Sequence, residues 1–456
     1  MPHRQSPLSR RRFLLATASV AAVAACATRG PKVDTAAPSL APTMASLLAA
    51  QAVPIRRLAP GDPGITALAR ELARSRMAGL GEATHGSQED ALLKSLLVQA
   101  MVENHGLRVV LLEANRTGCA QLDAYASAAP TGLLAAEAVK QAPVFRILKT
   151  EVMADLLAWI RGWNAVNADR MVRIIGVDCQ ASSADAADAL AALASIDSGA
   201  ADALSPPLAP ILTEAAKAAR HDAMLKMITS AERAEAETAC LDLEAELSRA
   251  GLDHAALTAR RAWQGLHAFE HETSDGDLTQ ATQEYWSRRD VFMAENALAL
   301  ANGQTAVFWG HNSHVAGGRP GGEGAGYLPS GAVLREKLGA DYLALVQEFA
   351  EAEFLALTAG SAPAPDAPQM TIQRTARPDT LNALLASASS QTAWFDLAHL
   401  PESTITEAWR QTPIGLDWYG ATASPEPQDN DIRNVPPGTL FDLMVFHPQL
   451  RPARML

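Results

Sequence analysis

The chain has 456 residues, 48% of them hydrophobic and 5% aromatic, with a formal net charge of −12. That length fits two or three average domains, or one large α/β domain with an insertion, and the Ala/Leu-rich, aromatic-poor composition suits a helix-rich protein better than a barrel or sandwich. The acidic balance and the lack of a basic stripe exclude nucleic acid as a partner, since phosphate binding needs a cationic face.

Residues 1–25 read as an export signal. Ser9-Arg10-Arg11-Arg12-Phe13-Leu14-Leu15 has the layout of a twin-arginine signal peptide, and its apolar run is too short to span a bilayer permanently. The run ends in Val23-Ala24-Ala25-Cys26, which resembles the lipobox of bacterial lipoproteins, in which the cysteine is lipidated. A plain signal-peptidase site is the alternative. The expected location is the periplasm, with membrane attachment through a lipid on Cys26. Cleavage before Cys26 would remove four arginines and no acid, taking the net charge from −12 to −16. Residues 26–50, rich in Ala, Pro, Thr and Ser, read as a flexible tether, and 51–456 as the folded domain.

From Ile65 onward helical and extended patterns alternate. Buried strands are expected at 76–80, 108–113, 172–178, 305–310, 342–347, 392–397 and 440–446, with room for helices between most of them. The expected fold class is therefore α/β, with a mainly parallel sheet flanked by helices. Between 182 and 275 the strand signal vanishes and helical periodicity takes over, broken at Ser198-Gly199, Ser205-Pro206-Pro207 and Ala250-Gly251. This reads as an inserted helical subdomain, a lid or cleft wall. The glycine-rich stretch 317–326 and the Pro/Ala-rich 361–368 read as loops. Cys119, Cys179 and Cys240 are too widely spaced for a disulfide framework and read as small buried hydrophobes.

Four expected strand ends carry polar cargo: Glu82 and His85 after the first, Glu113-Ala114-Asn115-Arg116 at the second, Asp178-Cys179-Gln180 at the third, and His311-Asn312-Ser313-His314 at the fourth. In a parallel sheet such ends converge. The first is organised as strand, Gly-flanked turn and helix, with Ser87 and Asp90 fitting a capping box. At the helix amino terminus the cation of His85 is disfavoured, while a neighbouring carboxylate favours it, the balance a general base needs. Glu82 or Glu113 could orient that base; His311, His314 or an arginine could meet a developing oxyanion. Asn115, Arg116 and Asp178 are candidate substrate-binding groups, although a strand-end Asp also commonly caps the next helix.

Other chemistries are weakly supported. No serine sits in a Gly-x-Ser-x-Gly elbow, and 317–326 lacks the Lys-Ser/Thr ending of a phosphate loop. His267 and His271 have metal-ligand spacing on one helix face, but no third ligand stands nearby. Neither metal nor cofactor is expected.

Gly81-Glu82-Ala83-Thr84-His85-Gly86, Leu112-Glu113-Ala114-Asn115, Gly176-Val177-Asp178-Cys179-Gln180 and Trp309-Gly310-His311-Asn312-Ser313-His314 resemble, in order and context, the erythromycin esterase family. Arg161-Gly162-Trp163-Asn164, Arg289-Asp290-Val291-Phe292-Met293, Gly331 with Leu334, and Phe441-Asp442 add weaker matches, so the resemblance covers roughly residues 75–446. It implies an α/β fold with a helical insertion, and hydrolysis of an ester or lactone by water without a covalent intermediate. His85 would be the base, Glu82 and Glu113 would orient it or the water, His311 and His314 would line the cleft and stabilise the oxyanion, and Arg289 would be a further donor. Where the family often has an arginine in the helix after the first motif, this chain offers Lys94. Two other readings of the same cleft are a metal-dependent hydrolase and a non-catalytic envelope lipoprotein that binds a small molecule.

Overall fold

Short apolar runs, each followed by a glycine or a polar turn, form the centre of the molecule. The computed structural model describes residues 41–127, 132–218, 220–268, 278–320, 326–358 and 369–456. Its strands are β1 (Val53–Pro54), β2 (Met77–Leu80), β3 (Val109–Asn115), β4 (Arg173–Asp178), β5 (Ala306–Trp309), β6 (Tyr342–Thr358), β7 (Gln369–Thr375), β8 (Ala393–Asp396), β9 (Ile414–Asp417), β10 (Thr422–Ala423), β11 (Ile432–Val435) and β12 (Leu443–Leu450). The main sheet runs β1-β8-β12-β6-β2-β5-β3-β4, and β7 and β10 also pair with β6. The six strands from β12 to β4 in that order are mutually parallel; β8 and β7 lie antiparallel to their neighbours.

Alternate residues of the central strands enter two separate cores, because successive side chains of a strand point to opposite faces. Ala78, Leu80, Val110, Leu112, Val307, Trp309 and Leu345 pack on one face. Met77, Val109, Leu111, Phe308, Ala344 and Val346 pack on the other. Each fully buried Val, Leu or Phe contributes about 1.5–3 kcal/mol. All seven expected strands are present, but the one expected to end at residue 347 continues as β6 to Thr358. Its extension pairs with β7 and, with Phe349, Phe354 and Ile372, builds a small third core against Ala83.

The insertion is helical and has its own core. Ser182–Ala194, Ser198–Leu212, Ser230–Arg249 and Asp253–Ala268 bury Leu193, Leu208, Leu243, Leu247 and Leu266 against one another. Asp197 caps the helix that starts at Ser198, and Gly251 (φ 72°) ends its helix in the left-handed region, so two of the expected breaks are real. The third is not. The helix Ser198–Leu212 continues through Pro206, Pro207 and Pro210; burial of Leu208 and Ile211 outweighs the lost backbone bonds. Two links tie the insertion to the main domain: buried Arg261 donates to the β4 carbonyls of Gly176 (2.8 Å) and Asp178 (3.0 Å), and half-buried Arg116, in the helix Arg116–Ala126, pairs with Asp185.

The tether expected over 26–50 stops short. Ala41–Gln51 is a helix whose Met44 and Leu48 are buried in the main core, so apolar packing claims the segment that composition marked as free. The signal peptide, Cys26, His271 and residues 361–368 lie outside the described residues. Among the described residues no helix is long and apolar enough to cross a membrane. Cys119, Cys179 and Cys240 are free and buried.

Candidate active site

The loop after β2 is held from both sides. Gly310 N donates to Leu80 O (3.2 Å), Gly81 N to Leu345 O (2.8 Å) and Asn312 N to Glu82 O (3.1 Å). Such close strand approach requires glycine at position 81, where a Cβ would lie 2.3 Å from Asn312 Oδ1. Gly86 is tighter still: a Cβ there would lie 1.9 Å from Leu355 O, and its carbonyl accepts from Leu355 N (3.1 Å) and Ala453 N (2.8 Å). The helix begins at Gln88 with Ser87 in the N-cap position, but the Ser87 hydroxyl makes no cap bond. The expected capping box is therefore not formed. Asp90 turns away from the helix end and accepts from Ala83 N (3.1 Å), bracing the motif from below. Burial pushes the Asp90 carboxyl up to about 7.

Within this frame stands a buried chain of three groups. His85 Nδ1 donates to Glu82 Oε1 (2.5 Å), and the other carboxylate oxygen, Oε2, pairs with Lys94 Nζ. Lys94 is wholly buried, 4.5 Å over the ring of Trp309. Burial alone would raise the Glu82 pKa; Lys94 and the His85 hydrogen bond override it and hold the carboxyl at about 2. Glu82 is thus ionised and fixes the His85 tautomer, leaving the basic lone pair on Nε2.

A second buried chain lies beside the first. Glu113 Oε2 accepts from His311 N (3.1 Å), and its Oε1 meets His314 Nε2 (3.0 Å) and Arg289 (3.2 Å). Arg289 also makes a forked pair with Asp178 (3.1 and 2.8 Å). His314 Nδ1 donates to Asp290 (2.8 Å), which in turn accepts from Tyr327 and from Ser330 N. Burial disfavours the His314 cation, but Asp290 and Glu113 on its two ring nitrogens raise its pKa to about 10. His314 is an imidazolium at neutral pH. With Arg289 it is balanced by three buried carboxylates, Glu113, Asp178 and Asp290.

The structure brings together Glu82, His85, Glu113, Asp178, Arg289, His311 and His314, but not all in the expected roles. His311 Nε2 donates to Tyr419 O (2.7 Å), and its Nδ1 accepts from Ser313 N (3.1 Å). Both ring nitrogens are occupied and burial lowers the pKa to about 3, so His311 offers an oxyanion nothing; its ring packs 5.0 Å from that of His85. Asn115 caps the next helix through Gly118 N and donates to Pro143 O. Arg116 is committed to Asp185 and Asp188 of the insertion. Asp178 is fully buried and positions Arg289. None of these three is placed to bind substrate directly. Sequence reasoning missed Asp290 and Tyr327. Asp290 had a signal, its place next to Arg289 in a matched motif; Tyr327 had none.

His85 lines a small pocket together with Glu82, Ser87, Ala91, Trp309 and, from the facing segment, Ile147, Leu148, Thr150, Val152 and Met153. One wall is tied down by residues 451–456, since Glu151 N donates to Arg454 O and Leu456 N to Lys149 O, while Gln88 N donates to Arg451 O. His267 stacks on Trp263 and its Nδ1 faces Glu237. Among the described residues no group of three or more His, Cys, Asp or Glu side chains is arranged to hold a metal ion.

Fold and site define a mainly parallel α/β protein with buried Glu–His chemistry at its strand ends. The family model for erythromycin esterase matches residues 102–450. The chain belongs to the erythromycin esterase family, whose class is hydrolysis of esters. No curated protein matches it. Three solved structures do: a Bacillus cereus protein (19% identity, TM-score 0.76, covering 91% of this chain and 99% of that one), a succinoglycan biosynthesis protein (16%, 0.74, 92% and 99%), and a mutant of the erythromycin esterase EreC in its open conformation (17%, 0.62, 84% and 93%). At these identities the likeness concerns the fold.

Proposed function

We propose that the protein hydrolyses a carboxylic ester or lactone with water activated by His85. The observation that carries this reading is the 2.5 Å Glu82–His85 contact, backed by buried Lys94. It orients an imidazole without providing a nucleophilic side chain. In the reaction His85 Nε2 takes a proton from water as the oxygen attacks the carbonyl carbon. A donor of the cleft, for which Arg289 is the candidate, meets the tetrahedral oxyanion. The C–O bond then breaks and His85 returns the proton to the departing alkoxide, leaving acid and alcohol. Proteins of similar structure include a succinoglycan biosynthesis protein and an erythromycin esterase, so candidate substrates span acylated sugars, simple esters and macrolides.

His85→Ala is the test. It should lower kcat by roughly a hundredfold or more, the scale of a lost general base, with little change in thermal stability. Near wild-type turnover would end the proposal. The same reading places the enzyme in the periplasm, exported by its paired arginines and anchored through lipid on Cys26. Cys26→Ser should move it from the membrane to the soluble fraction; a wild type already soluble after cell fractionation refutes the anchor.

A further inference from the structure

Beneath the Glu82–His85 turn three elements each send a polar side chain toward one point: Asp90 from the helix Gln88–His105, Gln347 from β6 and His447 from β12. All three are 0% exposed. Polar groups are costly to bury unless they are bonded, and here the bonds converge on the peptide links either side of Glu82. Gln347 Nε2 donates to Gly81 O (2.8 Å) and to Asp90 O (3.1 Å), while Asp90 Oδ2 accepts from Ala83 N (3.1 Å). Gln347 is itself oriented by His447, whose Nε2 donates to its Oε1 (2.9 Å); burial lowers that imidazole to about 3 and keeps it neutral. Asp90 alone of the three carries a charge that can be switched near neutral pH. Burial pushes its carboxyl up, the Ser87 hydroxyl, Lys94 and the Ala83 amide draw it back, and Glu82 adds to the rise, for a balance at about 7. The other ionisable groups facing it are Glu82 and Lys94, paired with one another, neutral His447 at 3.9 Å, and Glu348 of β6, which burial also raises well above the ordinary carboxylate range.

We infer that Asp90 is a positioning residue for the ester hydrolysis proposed above, on which the inference rests: its carboxylate acts through the Ala83 amide to set the Glu82–His85 pair, while Gln347 and His447 hold the other side of Glu82. Turnover then follows the charge on Asp90. When ionised, Asp90 makes the Ala83 hydrogen bond charge-assisted and adds negative charge beside the Glu82–Lys94 pair, which favours the His85 cation as it forms. When protonated it does neither. The same ionisation works against folding. A carboxyl raised in the folded state contributes stability that is present in full below 3.8 and is lost as pH rises through about 7, so at the pH where the turn is held best the protein carries a buried charge that opposes its stability.

The experiment measures kcat, KM and melting temperature between about pH 5 and pH 8 for wild type, Asp90→Asn, His447→Leu, His447→Gln and His85→Ala, with p-nitrophenyl acetate as substrate. Asparagine keeps the size of Asp90 and an acceptor for Ala83 N but cannot ionise. Asp90→Asn should lower kcat by about tenfold at the alkaline end, less than loss of the base itself, at near wild-type KM, and the deficit should shrink toward the acid end, where wild-type Asp90 is also uncharged. Across the same interval the melting temperature of the variant should rise relative to that of wild type. A purely structural role would lower kcat equally at every pH. His447→Leu should lower kcat and His447→Gln, which keeps a donor for Gln347, should restore it. Wild-type kcat in Asp90→Asn, or a deficit that does not change with pH, overturns the inference. If Asp90→Asn does not fold, the His447 pair decides, and equal kcat in Leu and Gln overturns it. A wild type no faster than His85→Ala overturns the hydrolase reading itself, and the positioning role with it.

Discussion

Replacing Lys94 with methionine tests the site most directly, because Lys94 does not itself line the pocket yet holds the carboxylate that orients the base. Glu82 sits at a pKa of about 2 against an ordinary 4.5. That depression corresponds to about 3 kcal/mol of favourable interaction with the ionised form. Burial opposes it, so the attraction from Lys94 and His85 must exceed that figure. Methionine keeps the length and the contact with Trp309 but leaves Glu82 buried with only His85. Breaking one side of a buried pair costs about 3–5 kcal/mol, which in a chain of this size lowers the melting temperature by about 5 °C or more. The sign with pH follows from the depressed pKa. In wild type the Glu82 contribution is present above 4.5 and is lost as pH falls from 4.5 toward 2. The variant lacks it, so the stability gap is full at pH 7 and narrows on acidification. Catalytically, Glu82 loses its anchor and its pKa rises, which moves the acid limb of the kcat profile upward in pH. Urea denaturation at pH 7 and pH 4, paired with pH–rate profiles, measures both. A variant with wild-type stability at pH 7 and an unmoved acid limb would refute the role given to Lys94.

Two further predictions concern the neighbouring groups. His314→Asn removes the cation shared by Glu113 and Asp290. Because the His314 pKa is raised to about 10, its stabilisation is complete below about 6.5 and is lost as pH rises toward 10, so wild type should weaken over that alkaline interval in urea denaturation while the variant, already weaker at pH 7, changes less. Gly86→Ala would force a Cβ into the carbonyl of Leu355 and should cost about 1–3 kcal/mol together with a fall in kcat at near-normal KM, read from melting curves and steady-state kinetics; an unchanged kcat would show that the turn does not place His85.

The site was legible where its residues sit in short contiguous blocks. Gly81–Gly86 and Trp309–His314 place a base, its carboxylate and a second histidine at strand ends, and the apolar runs around them announce buried parallel strands. Roles that depend on distant partners were not legible. His311 and His314 are three residues apart and look equivalent, but one meets the backbone of Tyr419 and the other is enclosed by Glu113 and Asp290. Burial makes the first neutral, while two carboxylates outweigh burial and keep the second cationic. Asn115 and Arg116 follow Glu113 directly, yet the turn of the chain into the next helix commits them elsewhere. The short strands β9, β10 and β11 have no apolar run long enough to mark them, and the helix Ala41–Gln51 hides in a composition that suits a linker. The amino-acid order by itself determined which elements form and which polar groups cluster at their ends, because periodicity and turn chemistry are local. Only the tertiary structure decided the charge and duty of each group, including the freeing of Ser87 from its cap, because burial and partner identity arise when segments hundreds of residues apart meet.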